Sequence, residues 1–141
     1  MKRPSHIAVA LAVTVLGSAT FSFAHHAANV MFDLGSPVIT VQGLLTRYAN
    51  VNPHTRLEFE AAGGDGKVVR WSVDAPSPAG MRTLGVNAKD DMAVGKTYTF
   101  RVIRARDGSD RGLLLGMVLP DGRQITIRLT PAERGERTSR S

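Results

Sequence analysis

The sequence predicts an all-β domain, a small antiparallel OB-like barrel of about six strands with one short helix after the third strand. Short stretches of the chain alternate apolar and polar side chains with a period of two, which is the pattern of strands with one buried face. Turns rich in glycine and aspartate separate these stretches. One helical signal follows the third stretch. Many short strands joined by such turns are typical of small barrels.

The first two strands are predicted at residues 39–48 and 55–61, on either side of a corner at residues 51–54. The second of these strands alternates apolar and charged residues, so one of its faces is expected to be buried. Gly43 lies inside the first strand, where a glycine favours a bend or a bulge. We therefore expect the first strand to turn a corner of the barrel near Gly43.

A hairpin turn and a third strand follow, at residues 63–66 and 67–74. The helix is predicted next, because Ser77 is a favourable N-cap and Pro78 suits the first helical turn. Gly85 marks its end, since glycine is the most common residue just past a helix C-terminus. This short helix is expected to cover one open end of the barrel.

Three more strands follow a predicted loop at residues 87–96, and they span residues 97–106, 112–119 and 124–129. The stretch 112–119 is almost continuously apolar, which indicates burial on both faces or a bulge at Gly116. The side chains predicted to fill the core are Ile39, Val41, Leu45, Leu57, Phe59, Val69, Trp71, Val73, Tyr98, Phe100, Val102, Leu115, Ile125 and Ile127.

Residues 1–24 have the features of a cleaved signal peptide. Lys2 and Arg3 form a positive n-region, residues 7–16 form a short apolar run, and Ala24 fits the position before a signal peptidase cut. A membrane anchor is the alternative, but small and polar residues interrupt the run before the ~20 apolar residues that a span needs. We expect cleavage, no stable membrane span afterwards, and a mature chain in the periplasm or outside the cell.

This interpretation divides the chain into a signal peptide (1–24), an N-terminal arm (25–37), an OB-like β-barrel domain (38–130) and a disordered tail (131–141). The tail is predicted from its small, polar and charged residues. The chain has no cysteine, which excludes disulfides, thiolate metal sites and c-type haem attachment.

The composition narrows the classes of function. The chain has a formal net charge of +6, but its basic and acidic residues are interspersed and only 6% of its residues are aromatic. We therefore do not predict a nucleic-acid partner. We do not predict an enzyme either, because the sequence shows no cysteine nucleophile, no Ser/His/Asp order and no carboxylate pair suited to acid–base catalysis.

Several short motifs together carry a resemblance to a known family. They are His25-His26, Asn52-Pro53-His54, Gly66-Lys67-Val68-Val69-Arg70-Trp71, Arg106-Asp107-Gly108-Ser109 and Leu119-Pro120-Asp121-Gly122-Arg123. In these motifs the chain resembles an uncharacterised family of small exported bacterial proteins. The resemblance implies an exported, OB-like domain of unknown function and assigns no chemistry. That family usually continues its His-His pair with Ser-Phe, where this chain has Ala27-Ala28.

The corner between the first two strands is the candidate contact site. It contains Asn52 and His54, and Tyr48 stands near the end of the preceding strand. The loop at this place is one of those that OB barrels use to hold ligands. We therefore predict a binding module whose partner is an envelope protein, a peptide or a small ligand such as a saccharide.

A copper site is the alternative prediction. Cleavage would give His25 a free α-amine, and this amine and the His25 imidazole could chelate one metal ion. His26 and/or His54 would complete a nitrogen set of the kind that Cu(II) favours. The competing interpretation needs no cofactor: His25 and His26 would belong to a frayed terminus, and a hydrogen bond from His54 would hold the corner.

Overall fold

A computed structural model describes residues 30–129 of the chain. The predicted signal peptide, the first part of the arm and the predicted tail lie outside the described residues. The strands are β1 (Ile39–Ala49), β2 (Arg56–Ala62), β3 (Val68–Asp74), β4 (Thr97–Arg104), β5 (Arg111–Val118) and β6 (Gln124–Thr126), and the helices are α1 (Pro78–Thr83) and α2 (Ala88–Asp91). In this part of the chain, no helix combines the length and the apolar character that a membrane crossing requires.

Strands β1 to β5 form a closed barrel. They follow the order β1-β2-β3-β5-β4 around the barrel and return to β1. Neighbouring strands are antiparallel except β3 and β5, which run parallel and close the sheet. β6 is an additional strand that pairs with the end of β5, where Ile125 lies opposite Met117. The predicted small β-barrel is thereby confirmed, with two short helices between β3 and β4 where one was predicted.

The path of β1 differs in detail from the prediction. Its first half pairs with β4 and its second half with β2, so the strand passes from one neighbour to the other near Gly43. The irregular position is Thr46, because the register with β2 shifts between Leu45 and Arg47. Gly43 is required for a different reason. A Cβ atom at this position would lie only 2.5 Å from Cδ2 of Phe59.

A bulge in β5 decides which leucine enters the core. Arg101 of β4 pairs with Gly116. The next residue, Val102, pairs with Leu114, so Leu115 is the extra residue. The bulge therefore lies beside Gly116, as the apolar stretch suggested, but the prediction that Leu115 faces the core is wrong, and Leu114 is buried there instead. A slip of one residue exchanges the two faces of a strand, which explains the error.

Stacked aromatic rings form the centre of the barrel core. The Phe59 ring lies between Phe100, with ring centroids 4.0 Å apart, and Trp71, with centroids 6.1 Å apart. Tyr98 stacks on Phe100 from the same strand. Met81 of α1 is buried against this core, so α1 packs on the barrel. The other predicted core residues are buried (Leu45, Leu57, Val73, Val102, Ile125) or partly buried (Ile39, Val41, Val69, Ile127).

A second apolar cluster lies apart from the main core. It is formed by Phe32 of the N-terminal arm together with Ile103 and Ala105. Phe32 makes an isolated β-bridge with Ala105, and Leu115 packs against the cluster from β5. The described part of the arm is thus attached to β4 and β5 by buried apolar surface.

The segment 87–96, which was predicted as a loop, contains α2. The Asn87 side chain caps this helix by accepting a hydrogen bond from the backbone N–H of Lys89 at 3.0 Å. In return, the Asp91 carboxylate accepts a hydrogen bond from the Asn87 N–H at 2.7 Å. The prediction is wrong over this one turn, because a helix of four residues is too short to show a helical period in the sequence.

Candidate functional site

The corner between β1 and β2 presents its polar side chains to solvent. Asn52, Pro53 and His54 are all exposed, and the Asn52–Pro53 peptide bond is cis. Within residues 30–129, the side chains of Asn52 and His54 make no hydrogen bond. The hydrogen bond from His54 that was expected to hold the corner is therefore not found in this part of the chain.

The backbone of Thr55 attaches the corner to the barrel instead. The Thr55 N–H donates to the carbonyl of Pro76 at 3.1 Å, and the Thr55 carbonyl accepts from the N–H of Ala75 at 2.9 Å. These two bonds join the end of the corner to the segment that leads from β3 into α1. These two hydrogen bonds restrain the backbone next to the exposed polar side chains of the corner.

A groove of about 520 Å³, which we call the Tyr48 groove, lies between the end of β1 and the two helices. Tyr48 and Asn50 line it from the strand side. Arg82 lines it from α1, and Asn87 and Lys89 line it from α2 and its cap. The groove thus brings together a phenol, two amide side chains and two positive charges.

Tyr48 is half-buried where the groove meets the barrel core. Burial raises the pKa of Tyr48, and the Thr55 hydroxyl and the positive charge of Arg82 oppose this effect. Since the ordinary pKa of the phenol is already 10.0, Tyr48 stays protonated at neutral pH. Its O–H group can therefore donate a hydrogen bond into the groove.

The Thr55 hydroxyl is fully buried and has no hydrogen-bond partner in the part of the chain that the structure describes. It lies beside the Tyr48 phenol and lowers the pKa of that group. A buried hydroxyl without a partner costs ~1–3 kcal/mol, so such a group in a native protein requires an explanation. Thr55 marks a polar position beside the groove that residues 30–129 leave unsatisfied.

Arg82 and Lys89 differ from most basic residues of the barrel because neither has a carboxylate partner within residues 30–129. Elsewhere arginines pair across strands, as Arg47 does with Glu58 at 3.2 Å. No carboxylate is among the residues that line the groove. Asp90, which follows Lys89 in α2, lines a separate depression. The Tyr48 groove is therefore positively charged.

His54 borders a different depression, an apolar cleft of about 60 Å³ whose walls include Leu34 and Leu113. Tyr48 and His54, which the sequence placed in one site, thus line separate depressions, and Asn52 lines neither of them. The structure keeps all three near the same corner but does not bring them into one pocket.

The described residues contain no group of three or more histidine, cysteine, aspartate or glutamate side chains placed to hold a metal ion. His25 and His26, the predicted copper ligands at the mature N-terminus, lie outside the described residues. His54, the third predicted ligand, is exposed. The copper site therefore stays a prediction.

Four residues at the site were not predicted from the sequence: Asn50, Thr55, Arg82 and Lys89. Arg82 carried a usable signal, because it stands in the predicted helix beside Met81, and a residue next to a buried one points away from the core. Thr55 carried none, since a buried hydroxyl and an exposed one look the same in a sequence. Lys89 lies in the helix that was predicted as a loop.

The fold and the site define a small closed β-barrel domain with an exposed polar corner and a positively charged groove beside it. The chain belongs to a family of unknown function (DUF6152), whose model matches residues 12–114. This membership confirms the resemblance to an uncharacterised family. Comparison with curated proteins and with solved structures gave no match.

Proposed function

We propose that the chain is an exported binding module, and that its ligand contacts the corner between β1 and β2. Removal of residues 1–24 would release the barrel into the periplasm or the medium. The observation that carries the proposal is the exposure of Asn52 and His54, whose polar groups make no hydrogen bond within residues 30–129. Polar side chains that a packed scaffold holds on a loop are a frequent place for binding function.

The restrained backbone at the end of the corner supports this proposal. The backbone bonds of Thr55 to Pro76 and Ala75 restrict the corner before any ligand arrives. A restricted loop loses less conformational freedom on binding, so more of the interaction energy appears as affinity. Depressions lined by Tyr48 and by His54 flank the corner. An envelope protein segment, a peptide or a small ligand lying across the corner would reach both.

Nuclear magnetic resonance of the isotope-labelled mature chain, residues 25–141, tests the proposal. The chain is titrated separately with peptide and saccharide libraries, and we expect chemical-shift changes at Asn52, His54 and Tyr48. The double substitution of Asn52→Ala and His54→Ala should abolish these changes. Gln42→Ala, an exposed change in the first half of β1, should preserve them. Shift changes that spare the corner, or that survive the double substitution, would overturn the proposal.

A second candidate function is copper binding. The observation that favours it is the exposed imidazole of His54, which is free of hydrogen bonds within the described residues. The amine and imidazole of His25, together with His26 and/or His54, would form a nitrogen-rich site of the kind that Cu(II) prefers.

Titration of the mature chain with Cu(II), followed by visible absorption and native mass spectrometry, tests this candidate. A chain with one additional alanine before His25 lacks the chelating amine and should lose tight binding. Equal affinity of the two chains would remove the amine from the ligand set. A titration of the His54→Ala variant then decides whether the corner supplies a ligand.

A further inference from the structure

We propose that the Tyr48 groove binds a small ligand that carries a carboxylate or phosphate group on an apolar body. This inference rests on the proposed binding function and names its class of ligand. Arg82 and Lys89 would hold the anionic group, while Pro78 and Ala88 provide apolar surface for the body. The volume of about 520 Å³ lies within the ~300–1,000 Å³ of typical small-molecule sites.

The charge of the groove selects for an anion. Arg82 and Lys89 reach it from two different helices, and neither has a carboxylate partner within residues 30–129. The planar guanidinium of an arginine matches the two oxygens of a carboxylate or phosphate with two parallel hydrogen bonds. A lysine adds a positive charge of less strict geometry. A cationic ligand would meet two like charges and no opposing carboxylate on the walls of the groove.

Tyr48 and Thr55 provide a second, independent observation. The Tyr48 phenol is a protonated donor at the inner wall of the groove. The Thr55 hydroxyl beside it is fully buried and unpartnered within the described residues. A ligand oxygen that accepts from Tyr48 would fix the rotation of the phenol O–H. The phenol is therefore one polar contact that the groove offers to an acceptor group of the ligand.

The size and surroundings of the groove favour a small ligand over a polyanion. A nucleic acid or another polyanion requires a row of unpaired basic residues along its path. Several basic side chains outside the groove are instead neutralised, as Arg56 is by Asp74 at 3.1 Å. Near the groove, Asp90 and Asp91 on α2 add negative charge beyond Lys89. Within residues 30–129, only two basic side chains line the groove, fewer than a polyanion would require along its path.

Calorimetry and resonance titrations at low ionic strength, with the mature chain and four probes, test the inference. Benzoate and phenyl phosphate carry an anion on an apolar ring, benzamide is the neutral analogue, and inorganic phosphate has no apolar body. We expect the two aromatic anions to shift the resonances of Tyr48, Asn50 and the two helices, and benzamide to bind at least about tenfold more weakly. The stronger of the two anions identifies the ligand as a carboxylate or a phosphate.

Substitutions of Arg82 and Lys89 then test whether these two side chains contact the anionic group of the probe. Arg82→Gln should weaken binding of the aromatic anions about tenfold, because it removes a charged, two-pronged donor. Lys89→Gln should weaken it severalfold. Arg101→Gln on β4 and Lys96→Gln before it change exposed basic residues outside the groove, and they should alter affinity by less than about twofold. Far-UV circular dichroism and urea unfolding check that each variant folds.

Three results would overturn the inference: no resonance shift at the groove, equal loss of affinity in the variants at positions 96 and 101, or inorganic phosphate binding as tightly as phenyl phosphate. The same spectra separate this failure from failure of the proposed function. If the anions leave the groove unperturbed while peptides or saccharides still shift Asn52 and His54, only the inference fails. If neither set of resonances moves, both proposals fail.

Discussion

The guanidinium carbon of Arg104 lies 4.9 Å from the centre of the Trp71 ring. Arg104 ends β4 and Trp71 lies in β3, and these strands are not neighbours in the barrel. Arg104 also donates to the Ser109 carbonyl at 3.2 Å and pairs with the carboxylate of Asp110. The Asp110 carbonyl in turn accepts from the N–H of Ser72 at 3.0 Å. Arg104 therefore spans the place where β3 and β5 close the barrel.

We predict that Arg104→Ala lowers the free energy of unfolding by about 1 kcal/mol, because it removes a cation–π contact and a partly exposed ion pair. Arg104→Lys keeps the charge but loses the planar stacking, so an intermediate value is expected. Urea unfolding followed by the fluorescence of Trp71, the single tryptophan, measures both. Arg101→Ala, exposed on the same strand, is the control. Equal losses in the alanine variants at positions 101 and 104 would show that the contact with Trp71 adds no stability.

Gly43→Ala should destabilise the barrel by ~1–3 kcal/mol, the usual cost of overpacking a core. The added Cβ would lie 2.5 Å from Cδ2 of Phe59 and 2.9 Å from the carbonyl oxygen of Glu60. The matched control is Gly64→Ala, since a Cβ at that position meets no atom within 4 Å. Thermal and urea unfolding of the two variants make the comparison. If both variants unfold at the same denaturant concentration as the unmodified chain, Gly43 is not held at close approach to Phe59.

Thr55→Val should leave the free energy of unfolding unchanged or raise it by about 1 kcal/mol, because it replaces a buried, unpartnered hydroxyl by a methyl group of similar size. Thr83→Val is the comparison, since the Thr83 hydroxyl donates to the Ala79 carbonyl at 3.1 Å. That variant should lose about 0.5 kcal/mol. Urea unfolding provides both values. A loss at position 55 as large as that at position 83 would mean that the Thr55 hydroxyl has a partner in solution.

Asp107 provides a prediction on pH. The Ser109 hydroxyl and the Ser109 backbone N–H both donate to its carboxylate, and these bonds lower the pKa of Asp107 below its ordinary 3.8. Ser109→Ala should therefore raise the pKa of Asp107 part of the way back, because the backbone donor remains. The pKa of Asp121, which Arg123 lowers in a separate turn, should not change. A titration followed by carboxyl carbon resonances measures both groups.

The direction of the stability change follows from the same shift. A carboxylate whose pKa is lower in the folded chain stabilises the fold above its unfolded pKa, and this contribution disappears as the pH falls through the folded pKa. The unmodified chain should therefore be more stable than the Ser109→Ala variant above pH 3.8, and the difference should shrink in more acidic solution. A difference that grows on acidification would contradict the assigned hydrogen bonds.

The architecture of the barrel could be predicted from the sequence because apolar and polar side chains alternate along β2, β3 and β4. In these strands the apolar positions are the buried ones. Leu57 and Phe59 illustrate this, since each lies between charged residues and is buried. Leu115 illustrates the limit. Local sequence showed an apolar run and a glycine, but the side of the bulge depends on pairing with β4, which the run itself does not encode.

The Tyr48 groove could not be predicted, because its parts come from elements that are distant in the chain. Tyr48 lies near the end of β1, Arg82 in α1 and Lys89 in α2, and only the packing of the helices on the barrel brings them together. The exposed corner at Asn52 and His54 was accessible to sequence analysis, because a short polar segment between two alternating stretches indicates a loop.

β6 has a consequence for self-association. It is only three residues long, and it occupies the N–H and C=O groups of β5 around Gly116 to Val118. Those groups would otherwise offer a template on which a strand from another molecule could add. A Cβ atom at position 116 would lie only 2.6 Å from the carbonyl oxygen of Ile125. Because Gly116 has no Cβ, β6 can approach β5 closely enough to pair with these groups. A larger residue at position 116 should therefore promote aggregation as well as loosen the barrel.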